Sequence, residues 1–329
     1  MRRNETCITA YSAVYNLGEY QAVSLLVLNL VVMVANIISN VGIIYGLVST
    51  SQFFNPSLKL ILCLSIFDLC LAVFAQPIFS VMLVYKSTLS QCSVEISVQF
   101  LAVFFTHASG YTIATIGFDR YVRTRYLNNY SAVMTTKKFY ILVMVICMTS
   151  LIQGVIYLCG TLLNFFSTAS RLGVVIDSCV VVVTFGFYLR SIKVIREYRQ
   201  ASTFRYLMRS VNRRIIIVGS RIMLSIAITY IPYFIISIVR SIYQSSNHSS
   251  QQWVDFALIF SYILIMLNSF INAFIFINGN KKLNHKVKKL KFWSSYTEET
   301  SDSNEPSVTG NEKMQRGAVK PKSDVETTV

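Results

Sequence analysis

AVSLLVLNLVVMVANIISNVGIIYGLV, residues 22–48, is an apolar run long enough to cross a hydrocarbon core, which takes about 20 helical residues. Six more runs follow, over residues 58–84, 94–120, 139–163, 173–195, 214–239 and 253–277. Seven runs predict an all-α integral membrane protein, a seven-transmembrane helix bundle over 22–279 with its two ends on opposite sides of the bilayer. The composition agrees: 53% of the 329 residues are hydrophobic and only 14% are charged, too apolar a balance for a soluble protein of this size.

A net charge of +15 raises nucleic-acid binding as an alternative, and the placement of the charge argues against it. One set of connections carries five Lys and Arg (Arg2, Arg3, Lys86, Arg171 and Arg240), the other carries 25. Cytoplasmic loops hold the basic excess, so residues 1–21 are expected outside, in a multi-pass protein of the plasma membrane with a cytoplasmic C-terminus. Residues 1–21 contain no long apolar stretch, so the first helix is expected to act as the insertion signal. The sequons at Asn4 and Asn247 fall outside and are glycosylation candidates, while Asn129-Tyr130-Ser131 falls inside and should stay bare. Cys7 and Cys92 lie in polar segments on the oxidising side and are the candidates for a single disulfide. The other five cysteines lie in or beside apolar runs and read as small core residues.

Residues 280–293 place Leu283, Val287 and Leu290 at helical spacing among six lysines, the pattern of a short amphipathic eighth helix lying on anionic membrane lipid. Residues 294–329 are Ser, Thr, Glu, Lys and Pro with almost no apolar bulk, so a disordered cytoplasmic tail is expected.

Ionisable residues at membrane depth are costly and point to function. Asp68 lies midway along the second run and needs partners. The seventh run offers Asn268, Ser269 and Asn272, of which Asn268 and Asn272 share a helix face; the third offers Ser109, about three turns before Arg120; the first offers Asn40. Asp119-Arg120-Tyr121 closes the third run. With Leu267-Asn268-Ser269-Phe270-Ile271-Asn272-Ala273-Phe274-Ile275-Phe276 and Thr229-Tyr230-Ile231-Pro232-Tyr233, all placed along the chain in the family's order, it resembles the rhodopsin-like (class A) G-protein-coupled receptors. These segments are similar to that family's Asp-Arg-Tyr, Asn-Pro-x-x-Tyr and Cys-Trp-x-Pro motifs. Asn40, Pro77 and the pair Tyr188 and Arg196 match further positions, and the resemblance spans residues 22–293.

The resemblance implies a receptor that binds an extracellular ligand and activates heterotrimeric G proteins by outward movement of helix six. Asp119, Arg120, Tyr121, Tyr188, Tyr230, Pro232, Asn272 and Phe276 would be the coupling and switch residues. Asp68, Ser109, Asn268, Ser269 and Asn272 match positions that hold sodium in inactive receptors, and hard oxygen donors suit that ion; no other cofactor and no transition metal is implied. Gln99, Ala102, Val103, Thr106, Tyr230, Phe234 and Tyr262 would face the ligand cavity. Departures from the pattern carry information too. Phe276 lacks the usual hydroxyl and Asn212 stands where some members place an acid opposite Arg120, which points to appreciable basal signalling and to a mainly constitutive receptor as an alternative reading. Thr161–Gly173 contains no cysteine, which disfavours the usual disulfide and leaves Cys7 or Cys179 as alternative partners for Cys92. Helix five lacks the usual proline near Val180. Ala102 stands where amine receptors carry aspartate, which disfavours an amine ligand, and the absence of lysine from 253–279 excludes a retinal Schiff base.

On the cytoplasmic side, Arg196, Arg199, Arg205, Arg209, Arg213 and Arg214 fit lipid headgroups or a G protein. Thr297, Thr300, Ser301, Ser303, Ser307 and Thr309, once phosphorylated, would suit arrestin. Thr327 and Val329 end the chain as a ligand for a PDZ domain. An enzyme is not indicated: the three histidines, His107, His248 and His285, are far apart and no Gly-rich phosphate loop occurs. A transporter, the remaining alternative, predicts repeated halves that the sequence lacks.

Overall fold

The computed structural model describes residues 10–49, 56–85, 92–126, 129–163, 165–200, 205–242 and 248–288. Asn4, Cys7, Asn247 and everything from Lys289 on, Leu290, Thr327 and Val329 included, lie outside the described residues, as do the side chains of Cys92 and Asn212. Among the described residues every regular element is helical. Among them, seven helices are long and apolar enough to cross a membrane: Glu19–Ser49, Ser57–Val84, Ser93–Arg125, Thr136–Leu162, Phe166–Glu197, Ile217–Arg240 and Gln251–Gly279.

The first span shows why lipid is the solvent. Val23, Val27, Val31, Val34, Ile38, Val41, Tyr45 and Val48 recur at helical spacing and are all exposed, while Asn29, Asn36 and Asn40 on the other face are buried. Aliphatic side chains outward and amides inward would be unstable in water and is stable in hydrocarbon, where every polar group needs an internal partner. The amide donors of Asn29 and Asn36 have such partners. Asn29 Nδ2 donates to Ser80 Oγ at 2.8 Å, and Asn36 Nδ2 donates to the Met266 carbonyl at 3.1 Å, tying the first span to the second and seventh.

Two spans run past the apolar stretches that predict them. The third continues to Arg125, so Asp119-Arg120-Tyr121 lies more than a turn inside the helix rather than closing it; Arg123 and Arg125 in the last turn complement the negative end of the helix dipole. The fifth begins at Phe166, directly after a tight turn in which Phe165 N donates to the Gly160 carbonyl at 2.9 Å. The second span holds a π-helical turn, Leu71–Ala75, in which Gln76 N donates to the Leu71 carbonyl. Pro77 follows at once, and its missing N–H accounts for the irregular hydrogen bonding before it.

Two apolar clusters fill the bundle. One contains Leu25, Phe79, Val98, Ala102, Tyr233, Leu258 and Ile263; the other contains Ile43, Leu60, Ile116, Tyr188, Ile222, Phe276 and Leu283. Along the second, third and seventh spans Asp68, Ser109, Asn268, Ser269 and Asn272 fall between members of the two clusters. The short helix Lys281–Lys288 buries Leu283 and Val287 beside the first span, where Gly46 leaves room that a Cβ would take from Leu283.

A 3₁₀ helix, Ala10–Asn16, buries Ala13 and Val14 completely in the first cluster. Tyr15 hydroxyl donates to Glu95, Asn16 Nδ2 donates to Asp255 Oδ2 at 2.7 Å, and Asp255 pairs with Arg240 at 3.2 Å. Burial and the Glu95 carboxylate push the Tyr15 phenol above its ordinary pKa, so it remains a hydrogen-bond donor.

Candidate functional site

Three polar sites are threaded along the third span. Midway along it, Asp68 is fully buried. Ser269 Oγ donates to its Oδ1 at 2.8 Å and Ser109 also faces the carboxylate, so the second, third and seventh spans converge there. Asp68 Oδ2 and both amide atoms of Asn272 have no hydrogen-bond partner among the described residues. Asn268 turns elsewhere: its Oδ1 accepts from Ser225 Oγ of the sixth span at 2.8 Å. Ser225 is absent from the sequence-derived set, and only its position a turn before Thr229 on the same face could have suggested it.

Near the C-terminal end of the third span, Asp119 is buried and both its oxygens are taken. Ser57 Oγ donates to Oδ2 at 2.5 Å and Tyr130 hydroxyl donates to Oδ1 at 2.5 Å, joining the third span to the start of the second and to the short helix Tyr130–Val133. Arg123 caps this cluster, its guanidinium carbon 4.5 Å from the centre of the Tyr130 ring. Among the described residues no ion pair joins Arg120 to Asp119. Arg120 instead lies near enough to Tyr188 for its charge to act on the phenol, with Tyr121 half-buried beside it. Tyr188 is itself buried between two glycines: a Cβ on Gly117 of the third span would lie 3.2 Å from its Cε2, and one on Gly219 of the sixth 2.9 Å from its Cδ1. Its hydroxyl has no partner among the described residues, and Phe276 packs in the same cluster.

Toward the N-terminal end of the third span a cavity of about 110 Å³ opens among the third, fourth, fifth, sixth and seventh spans. Gln99, Ala102, Val103, Thr106, Tyr230 and Tyr262 line it. Phe234 does not: it follows Tyr230 by one turn, but its ring packs on Tyr233 at 5.6 Å between centroids. The lining residues that the sequence did not assign to the cavity include His107, Tyr111, Tyr157, Asp177 and Tyr233. His107 Nε2 lies 2.9 Å from Asp177 Oδ1, and its Nδ1 2.6 Å from the Val103 carbonyl. Both ring nitrogens thus face acceptors. Cys179, two residues beyond Asp177, is exposed and free, so of the two alternative partners for Cys92 it is not engaged. No group of three or more His, Cys, Asp or Glu that could hold a metal occurs among the described residues.

A family model described as "7 transmembrane receptor (rhodopsin family)" matches residues 39–276, which takes in all three sites. No curated protein matches the chain.

Proposed function

The chain belongs to the rhodopsin family of seven-transmembrane receptors, and from that premise we propose that it binds an extracellular ligand in the Tyr230 cavity and activates a heterotrimeric G protein through outward movement of the sixth span. It is a multi-pass membrane protein of a family of receptors, not enzymes. The observation that carries the reading is Tyr230. It lines the cavity and packs against both apolar clusters, so a ligand that moves it acts on the cytoplasmic half. Two residues on, Pro232 sits inside the helix Arg205–Ile242 and removes the bond to the Ile228 carbonyl, which supplies a hinge. The test is a ligand screen in transfected cells with G-protein dissociation as readout. Arg120→Ala, at equal surface expression, is expected to lose the response; a response that persists in Arg120→Ala, or substrate flux in vesicles without guanine-nucleotide coupling, would sink the reading.

The Asp68 pocket is read as a sodium site that holds the inactive packing. Support comes from the buried carboxylate with one oxygen unpartnered, the unpartnered Asn272 amide and the Ser109 and Ser269 hydroxyls, a set of hard oxygens for a hard ion. An ion that neutralises a buried charge stabilises the state that holds it. At about ten times its Kd, sodium should add about 1.4 kcal/mol to stability. Thermal unfolding of purified protein in sodium chloride against choline chloride checks this, and equal sodium dependence in Asp68→Asn would refute it.

The same reading places the N-terminus outside in the plasma membrane, the Lys281–Lys288 helix on anionic lipid, and arrestin and a PDZ domain on the tail.

A further inference from the structure

We propose that the cavity takes a small organic cation, an amine with an aromatic or aliphatic body, whose charge pairs with Asp177 by replacing His107. This rests on the receptor reading of the cavity and names the chemistry of its ligand. The wall decides the sign of charge. Tyr111, Tyr157, Tyr230, Tyr233 and Tyr262 all line it, and no lysine or arginine does among the described residues. Tyrosine rings present a negative face to a cation. Three of the hydroxyls are committed to the protein: Tyr111 donates to Gln153 Oε1 at 2.6 Å, Tyr157 is bonded to Ser170 and Tyr233, and Tyr233 also to Ser237. These three offer a ligand ring faces and oxygen lone pairs, which favour a cation, and the Tyr230 and Tyr262 hydroxyls can turn a lone pair to it as well.

The carboxylate is the second, independent feature. Asp177 is the single acid among the lining residues, and its side chain retains 16% exposure. The one resident group that can be cationic is His107, held in place by the Val103 carbonyl. The His107–Asp177 pair is an internal substitute for the ligand: it neutralises a buried charge that would be costly alone. An ammonium that reaches Asp177 takes over this role and, with its body in the cavity, adds contacts to the Tyr157, Tyr230, Tyr233 and Tyr262 rings, beyond the Tyr111 ring that His107 already meets at 6.1 Å between centroids. The expectation against an amine rested on Ala102 of the third span, and the fifth span supplies the acid that the third lacks.

The test is thermal unfolding of the full chain in nanodiscs with four probes at about 10 mM, enough to occupy a site at the efficiency ordinary for fragments. The cations 2-phenylethylamine and phenyltrimethylammonium are expected to raise Tm by about 2–4 °C, and the neutral 2-phenylethanol and anionic phenylacetate to leave it unchanged. The shift should vanish in Asp177→Asn. In His107→Gln, where the competing cation is gone, the half-saturating concentration of 2-phenylethylamine should fall about tenfold. A shift from neither cation, an equal shift from the alcohol or the acid, a shift retained in Asp177→Asn, or unchanged affinity in His107→Gln would each overturn the proposal. If Asp177→Asn does not fold, His107→Gln alone decides. Unfolding needs no G protein, so binding at Asp177 without G-protein dissociation would fault the receptor reading and leave this proposal standing.

Discussion

Gly219→Val is expected to raise ligand-free second-messenger output about fivefold over wild type at equal surface expression. Tyr188 is 2% exposed, so its ring has nowhere to retreat. On the third-span side it meets Gly117, where even a methyl would be tight, and on the sixth-span side it meets Gly219. A valine there forces the two surfaces apart, and the sixth span, hinged at Pro232, yields in the direction that activation requires. A bias of about 1 kcal/mol toward the outward arrangement multiplies its population ratio by about five. Output at or below the wild-type level would show that Tyr188 does not set the spacing. In the same assay the wild type itself should signal above mock-transfected cells. Phe276 offers no hydroxyl, and Asp119, committed to Ser57 and Tyr130, leaves Arg120 without that partner.

Asp119→Ala is expected to lower stability by about 3 kcal/mol, the loss of two hydrogen bonds to a buried carboxylate with their donors left in place. In thermal unfolding that is a fall of roughly 5–10 °C. Asp119→Asn, whose amide oxygen still accepts, should lose about half as much. A wild-type Tm in Asp119→Ala would mean that the cluster does not tie the spans together. The alkaline limb gives a second check. Burial and the Asp119 carboxylate raise the Tyr130 phenol above its ordinary 10.0, so the folded state holds that proton more tightly than the unfolded one. Its contribution is therefore complete below pH 10 and is lost as pH climbs through the raised value; Tyr130→Phe should flatten that part of the profile.

The seven spans were legible because some twenty consecutive apolar residues have few other uses. Their ends were less so, since Asp119 to Arg125 continues a helix on hydrogen bonding and dipole rather than hydropathy. The Asp68 cluster followed from one rule, that an acid at membrane depth needs partners, joined to family order. That rule, applied to the fifth run, would also have flagged Asp177. The resemblance drew attention to the third span instead, where Ala102 was read as the absence of a counter-ion. Phe234 illustrates a different limit. Helical spacing puts it one turn beyond Tyr230, and its ring does pack on Tyr230 at 6.3 Å as well as on Tyr233 at 5.6 Å, yet it does not reach the cavity lining. Likewise the engagement of Asn268 by Ser225 depends on how the sixth and seventh spans pack, which no periodicity encodes.

The π-helical turn at Leu71–Ala75 carries one residue more than an α-helix would use over the same rise. Asp68 and Gln76, eight apart in the chain, are for that reason both turned fully inward, as residues seven apart would be. The numbering of the second span therefore slips by one across this turn. Any one-to-one pairing of its residues with a relative whose helix is regular must open a single-residue gap there, and without that gap Pro77 and Ser80 are matched to the wrong neighbours while Asp68 is matched correctly.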